Sequence, residues 1–503
     1  MMQRRRFVAG AAAVIGIPAF AAAAAQTDTP RFSLGIASGQ PHATGMVLWT
    51  RLIGSDLPEH VAVDWEVADD EQFRRIVARG SEDAEAAWAH SVHAEPAGLA
   101  PDRWYWYRFR ALGQQSESGR TRTTPAADAA VGSLRFAITS CQRFDVNHYA
   151  AWRHVAAAGL DLVLFLGDYI YESAQARDAI RPQPGGVALT LVQYRARYAT
   201  YKADPLLRAA HAAAPWLLIW DDHEVSNDYA NLRGENLAVD MRARRAAAYR
   251  AYWEHMPFPK SVRPEGPDMR IVGRTDWGTL ARFHRVDDRQ YRDVQACSPP
   301  GRGGSTTVRL ADCPDLSDPR RSLLGAEQER WLADGWDLDR PWNLLMQQTL
   351  MARFSWSDPA QGGTYWTDGW DGYAPSRQRL LGVAAAKKVP GLVVLGGDVH
   401  SHYVADLQVD YDDAASPVMA SEFCGSSITS LSLAQSRIDA ALPFNPHVRY
   451  GRSDQRGYMS FEIDRKESRA AVQVVDRPLD PASGVTTAAR FVVDAARPGP
   501  VAA

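Results

Sequence analysis

LVLFLGDYIY, residues 162–171, reads as a buried strand that stops at a glycine and a carboxylate. The apolar run has strand length, Gly167 breaks it, and Asp168 and Tyr171 follow within four residues. Three other stretches repeat the design. LRFAITSC (134–141) ends in Cys141, WLLIWDDHE (216–224) carries Asp222, His223 and Glu224, and LVVLGGDVHSH (392–402) carries Asp398 and His400. Ligands of open α/β sheets collect beyond the carboxyl ends of the strands. Packing does not account for a thiol, a phenol, imidazoles and carboxylates at four strand ends. They form a metal-ligating set and point to metal-assisted hydrolysis.

The strand-like runs alternate with Ala- and Arg-rich helical stretches at 147–159, 191–213 and 238–255. RSLLGAEQERWLADGW (321–336) predicts a further amphipathic helix before the strand WNLLMQQTLM. From Leu134 onward this is a large α/β domain. Residues 30–125 differ: VAVDWEVA and RWYWYRFRAL alternate between turn residues and predict an antiparallel β-sandwich. TTPAADAAVGS (123–133) reads as the linker, and the tail after Arg490 is expected to be partly disordered.

A chain of 503 residues with 46% hydrophobic and 23% charged residues can bury two or three cores. A net charge of −3 argues against a general nucleic-acid binder. Residues 1–25 read as a twin-arginine signal peptide, with Arg4 and Arg5 ahead of Phe7 and an Ala-rich run ending at Ala25. Export through the twin-arginine translocase to the periplasm or beyond follows, with no stable membrane anchor. In that oxidising destination Cys297 and Cys313, which flank a Gly- and Pro-bearing loop, are expected to form a disulfide. Cys141 is a ligand candidate and Cys424 a small buried residue.

SCQ, GDYIYE, WDDHEVSND and GGDVHSH, in this order, resemble the PhoD-like alkaline phosphatases and phosphodiesterases. FSLGIASGQPHATGMVLWTRL, DDRQYRD and ASEFCGSSITS extend the resemblance over nearly the whole chain after the signal segment. That family belongs to the metallophosphoesterase group, with the purple acid phosphatases. The resemblance implies a four-layer α/β/β/α catalytic domain over 134–490, preceded by a fibronectin- or Ig-like sandwich over 30–125. It also implies a secreted enzyme that hydrolyses phosphate monoesters and diesters by attack of a metal-bound hydroxide. A phospholipase D-like or teichoic-acid phosphodiesterase is the alternative within the class. A non-catalytic surface-polymer-binding protein and a redox metalloprotein are the alternatives outside it.

The resemblance also suggests roles. Asp168 would bridge two cations, and the GDxxY spacing makes Tyr171 a phenolate ligand of Fe³⁺, with Tyr169 as the competing choice. Cys141 stands where most metallophosphoesterases have Asp, and His400 would complete the iron set, whose thiolate and phenolate suit iron. Asp222 and Asp398 would bind a hard divalent metal, Ca²⁺ first, with Mg²⁺ or Mn²⁺ as alternatives. His223 would act as general acid or phosphate ligand. Asn227 and Gln347 are further possible ligands, with Asp228 beside the first, Gln348 competing with the second, and His402 in a supporting place. Arg143 and Arg289 are the candidate phosphate donors.

Overall fold

Every apolar run that ends in an acidic or sulfur residue forms a strand, and the strands fall into two sheets. The structure is a computed structural model that describes residues 30–503 apart from 176, 178 and 414, so the expected signal segment lies outside the described residues. In chain order the N-terminal strands are β1 (Ile36–His42), β2 (Gly45–Arg51), β3 (His60–Ala68), β4 (Ile76–Glu85), β5 (Ser91–Ala94), β6 (Trp104–Ala111), β7 (Gln114–Gln115) and β8 (Gly119–Arg122). They are followed by β9 (Leu134–Thr139), β10 (Leu162–Phe165), β11 (Trp216–Leu218), β12 (Gly273–Trp277), β13 (Ala281–Arg285), β14 (Thr307–Arg309), β15 (Trp342–Met346) and β16 (Thr364–Trp366). The last are β17 (Leu392–Gly396), β18 (His402–Gln408), β19 (Val418–Cys424), β20 (Val448–Arg452), β21 (Gly457–Ile463), β22 (Glu467–Val475), β23 (Val485–Asp494) and β24 (Arg497–Ala502). The α-helices are α1 (Ala150–Ala157), α2 (Leu191–Lys202), α3 (Pro205–Ala213), α4 (Met241–His255), α5 (Ala326–Asp334), α6 (Ala374–Lys387) and α7 (Gln435–Ala441).

The helical stretch 191–213 divides into α2 and α3 at Asp204-Pro205. Proline occupies the first turn of α3, and the Asp204 carboxylate caps it by accepting from Leu206 N at 2.9 Å.

One sheet runs β24-β23-β22-β21-β9-β10-β11-β1-β2-β5 and the other β12-β13-β15-β17-β19-β18-β20. Within them β9, β10 and β11 are mutually parallel, as are β13, β15, β17 and β19. The sheets pack face to face. Phe136 on β9 meets Phe283 on β13 edge-on at 5.7 Å and stacks on Phe461 of β21 at 4.8 Å. Truncating so central a ring costs about 3–5 kcal/mol. Trp152 of α1 and Tyr198 of α2 share a core with the outer face of the first sheet, and Leu332 of α5 and Leu381 of α6 share one with the second. This is the expected four-layer α/β/β/α arrangement.

The N-terminal strands are less separate than their composition suggests. β4, β3, β6, β7 and β8 form an antiparallel sheet whose core includes Val63, Val67, Tyr105 and Phe109. The opposing layer of that sandwich is β1, β2 and β5, and β1 pairs with β11 through Gly39 and Trp216. One layer of the sandwich therefore continues the large sheet. The tail after Arg490, expected to be partly disordered, instead ends in β23 and β24. β23 alternates inward Phe491 and Val493 with solvent-facing residues, and β24 pairs with it at the sheet edge. Pro498 and Pro500 are tolerated there because β24 ends the strand order and ladders with β23 alone.

Candidate metal centre

The carboxyl ends of the two parallel blocks meet, and the loops that leave them carry the site. Cys141 follows β9, Asp168 follows β10, and Asp221, Asp222 and His223 follow β11. Arg289 follows β13, Gln347 and Gln348 follow β15, and Asp398 and His400 follow β17. Cys141, Asp168, Asp228, Asp398 and His400 all adopt left-handed backbone, with φ of 56°, 60°, 52°, 64° and 51°. Non-glycine residues rarely do so unless the surroundings hold them there, and functional turns are where such strain collects. Gly167, at φ 114°, is required by closeness as well: a Cβ there would lie 2.3 Å from Cβ of Asp221. The second and third acidic stretches are therefore in direct contact.

Donor atoms cluster in overlapping groups, each within 4.8 Å: Cys141, Asp168 and His400; Asp168, Asp222 and His223; Asp221, Asp222 and Asp398; and Asp222, Asp228 and Asp368. Tyr171 joins the first group, its hydroxyl donating to Asp168 Oδ2 at 2.8 Å and lying 2.9 Å from His400 Nε2. His400 Nδ1 donates to the Leu431 carbonyl at 2.7 Å, which fixes the tautomer and leaves the Nε2 lone pair facing Asp168 and Tyr171. Tyr169 points elsewhere, its hydroxyl 2.7 Å from His211 Nε2.

The electrostatics suit cations. Asp221 Oδ2, Asp222 Oδ1 and Asp398 Oδ2 are buried without a hydrogen-bond partner among the described residues. An unpaired buried carboxylate is costly. Burial pushes Asp168 well up, against the pull of His223, and pushes Asp398 up to about 8, against Arg289. Burial, then Asp168, raises both Cys141 and Tyr171 well above their ordinary values. Burial, then Arg456, lowers His400 to about 3, so its imidazole is neutral. The thiol, phenol and carboxyls hold protons that a metal would displace, His400 offers a free lone pair, and the set fits the expected groups.

His223 stands on the wall of a cleft of about 810 Å³ that Tyr171, His400, Arg143, Asn227 and Arg244 also line. Its Nδ1 is 2.7 Å from Glu172 Oε2, and Glu172 Oε1 accepts Asn227 N at 3.0 Å. Burial works to lower the His223 pKa, but Asp222, Glu172 and Asp168 raise it well above the usual value.

Several candidates are placed differently from their expected roles. Arg289 is fully buried, bonded to Asp221 and to Asp368 Oδ2 at 2.7 Å, and is absent from the cleft wall. It is a counter-charge to the carboxylates, with Nη2 3.8 Å from Asp398 Oδ1 and without a hydrogen-bond partner among the described residues. Gln347 spends its carbonyl oxygen on Thr349 N at 3.1 Å and Trp370 Nε1 at 2.9 Å, so it has no lone pair to spare for ligation. Gln348 Oε1 has no hydrogen-bond partner among the described residues. His402 accepts Ser426 N at 3.0 Å and joins no donor group. Arg143 remains on the cleft, with Nε on Asp145 and Nη2 on Ser173 O. Glu172, Asp221, Asp368, Ser430 and Arg244 were not singled out from the sequence. Arg244 is the most telling of these, because it is buried, lines the cleft and leaves Nη2 without a partner among the described residues. Cys297 and Cys313 are disulfide-linked, and Cys141 and Cys424 are buried free thiols.

Residues 136–472 match the PhoD-like phosphatase family and residues 19–125 match the N-terminal domain of PhoD-like phosphatases. The chain belongs to the PhoD-like phosphatase family. It is 39% identical over 518 residues to alkaline phosphatase D of Bacillus subtilis (strain 168), an alignment that covers 97% of this chain and 87% of that protein. A solved structure of PhoD aligns with a TM-score of 0.89 and 38% identity, covering 94% of this chain and 92% of that one. The chain is accordingly a phosphatase, and the reading as a non-catalytic polymer-binding protein is set aside. No helix among the described residues is long and apolar enough to cross a membrane.

Proposed function

We propose that the chain is an exported, metal-dependent phosphoesterase acting on phosphate monoesters and diesters. Cys141, Asp168, Tyr171 and His400 would hold Fe³⁺, and Asp168, Asp222 and Asp398 a hard divalent cation, Ca²⁺ first and Mg²⁺ or Mn²⁺ next. The observation that carries the reading is the chain of overlapping donor groups, sharing Asp168 and Asp222, beside the cleft that His223 lines. When bound, such cations supply Lewis acidity toward a phosphoryl oxygen and toward water.

The protein's own groups do the rest. With Nδ1 held by Glu172, the protonated His223 has its Nε2 without a partner among the described residues, available to donate to the oxygen that departs from phosphorus. The guanidinium groups of Arg143 and Arg244, both on the cleft wall, can donate to the phosphoryl oxygens without titrating. Asn227, on the same wall, remains a possible further ligand. In this reading residues 30–125 form the N-terminal unit, and the catalytic unit extends from 134 past 490 to include β24. Export by the twin-arginine route is part of the proposal, supported by the arginine pair at Arg4 and Arg5 and by a disulfide suited to an oxidising compartment.

The test is metal analysis of the purified mature protein together with hydrolysis of p-nitrophenyl phosphate, bis-p-nitrophenyl phosphate and phosphatidylcholine. Turnover of the first two by protein carrying iron and a divalent metal is expected. Preference for phosphatidylcholine would move the assignment to the phospholipase D-like alternative, and no turnover of any ester by metal-replete protein would overturn it.

A further inference from the structure

A second cavity, of about 320 Å³, lies across a ridge from the catalytic cleft and differs from it in chemistry. Its walls include Phe354, Trp356, Trp366, Trp370 and Tyr403. Phe354 meets Trp356 edge-on at 5.0 Å and lies tilted against Tyr403 at 5.1 Å, so these three rings form one connected surface. Pockets of this size lined by aromatic groups with a few polar ones are built to hold small molecules.

Two turns form the ridge. In the first, Val399 and Ser401 line the aromatic cavity while His400, between them, lines the cleft. In the second, Leu431 lines the cleft and Leu433 the cavity, and both side chains are exposed. The turns are tied by the Ser401 and Ser432 hydroxyls at 3.0 Å and by His400 Nδ1 on Leu431 O at 2.7 Å. The cavity therefore shares its wall with a proposed metal ligand. At its edge Arg437 packs 5.4 Å over the Trp356 ring and has no carboxylate partner among the described residues.

We propose that this cavity is a specificity subsite for a planar aromatic ring on the ester group that does not depart, reached across Leu431 and Leu433 when the phosphate sits in the cleft. The inference rests on the phosphoesterase reading of the cleft. Flat indole and phenyl walls reward a ring over a short alkyl group, because stacking adds to the burial of its area. Arg437 favours rings that carry an anionic substituent.

The experiment compares bis-p-nitrophenyl phosphate with methyl p-nitrophenyl phosphate. The leaving group is the same, and the retained group is an aryl ring or a methyl. Trp356→Ala should lower the aryl-to-methyl ratio of kcat/KM by about tenfold, the scale of a lost ring contact plus its buried area. Trp356→Phe should hold that ratio within about twofold of the native protein, and methyl-ester turnover and metal content should be unchanged in both. An unaltered ratio in Trp356→Ala, or equal loss on both esters, overturns the subsite. Equilibrium dialysis of the purified protein against p-nitrobenzyl alcohol reads the cavity apart from catalysis. Binding lost in Trp356→Ala and kept in Trp356→Phe supports the inference even if neither ester is turned over, which would instead refute the cleft assignment. Absence of binding in the native protein refutes the subsite alone.

Discussion

Replacing Glu172 by Gln keeps the shape of the residue behind His223 and removes only its charge. The native contact, Nδ1 to Oε2 at 2.7 Å, joins side chains that are 13% and 6% exposed, so solvent screens it little. Burial opposes ionisation of Glu172, but His223 holds its carboxyl down at about 2. A hydrogen bond to a charged group contributes about 1.5–3 kcal/mol, and a neutral one about 1. The difference, about 0.5–2 kcal/mol, corresponds to roughly 2- to 30-fold in rate if His223 must be protonated and aligned when the ester bond breaks. The loss should appear where the departing oxygen needs a proton. We expect kcat for glycerol phosphate to fall about tenfold and kcat for p-nitrophenyl phosphate, whose phenolate leaves unaided, to change by less than about twofold. Metal content should stay the same. The direction of the pH effect follows from the raised pKa of His223: its proton is present below that pKa and lost as pH rises through it. Without the Glu172 charge the alkaline limb should move to lower pH. Equal losses on both substrates, or loss of metal, would refute the assignment of His223 as proton donor.

Asp168→Asn removes the carboxylate common to two donor groups, and activity should fall by at least ~100-fold with loss of metal, read by elemental analysis. Full metal content with near-native turnover would contradict the bridging role. Replacing Arg4 and Arg5 by Lys should leave the precursor in the cytoplasm, checked by fractionation, and normal export of that double variant would show the signal was misread. Burial raises Glu422 to about 7, although Met351 N and Ala352 N bond to it. A carboxyl with a raised folded pKa is stabilising relative to its ionised form at low pH, so its contribution declines as pH rises from about 4.5 to about 7. Glu422→Gln should flatten that decline in thermal melts at saturating metal; an unchanged slope would show that another group carries it.

Where strand and candidate donor adjoin in sequence, the residues that the structure brings together were legible. Asp168, Asp222 and Asp398 follow short apolar runs, and the runs became the parallel strands whose ends converge. Glu172, Asp368 and Arg244 were not legible, because loops and a helix bring them in. Asp368 arrives after β16, held by Arg289 and by Arg292 at 2.7 Å, and Arg244 points inward from α4. The surroundings of Arg289 were not legible, because the carboxylates it faces, Asp221 and Asp368, come from distant parts of the chain. The two prolines and the glycine of the tail suggested irregular chain. A sheet edge accepts them, and pairing across β23 decides the outcome over local propensity.

The visible spectrum of the aerobically purified enzyme reports on the iron assignment. A phenolate on Fe³⁺ gives a ligand-to-metal charge-transfer band that calcium, magnesium or zinc cannot produce, and Tyr171 is the phenol beside Asp168 and His400. The protein should be tinted and contain iron, Tyr171→Phe should bleach the band, and Tyr169→Phe, whose hydroxyl faces His211, should leave it in place. A colourless, fully active protein without iron, or a band that survives Tyr171→Phe, would contradict the account.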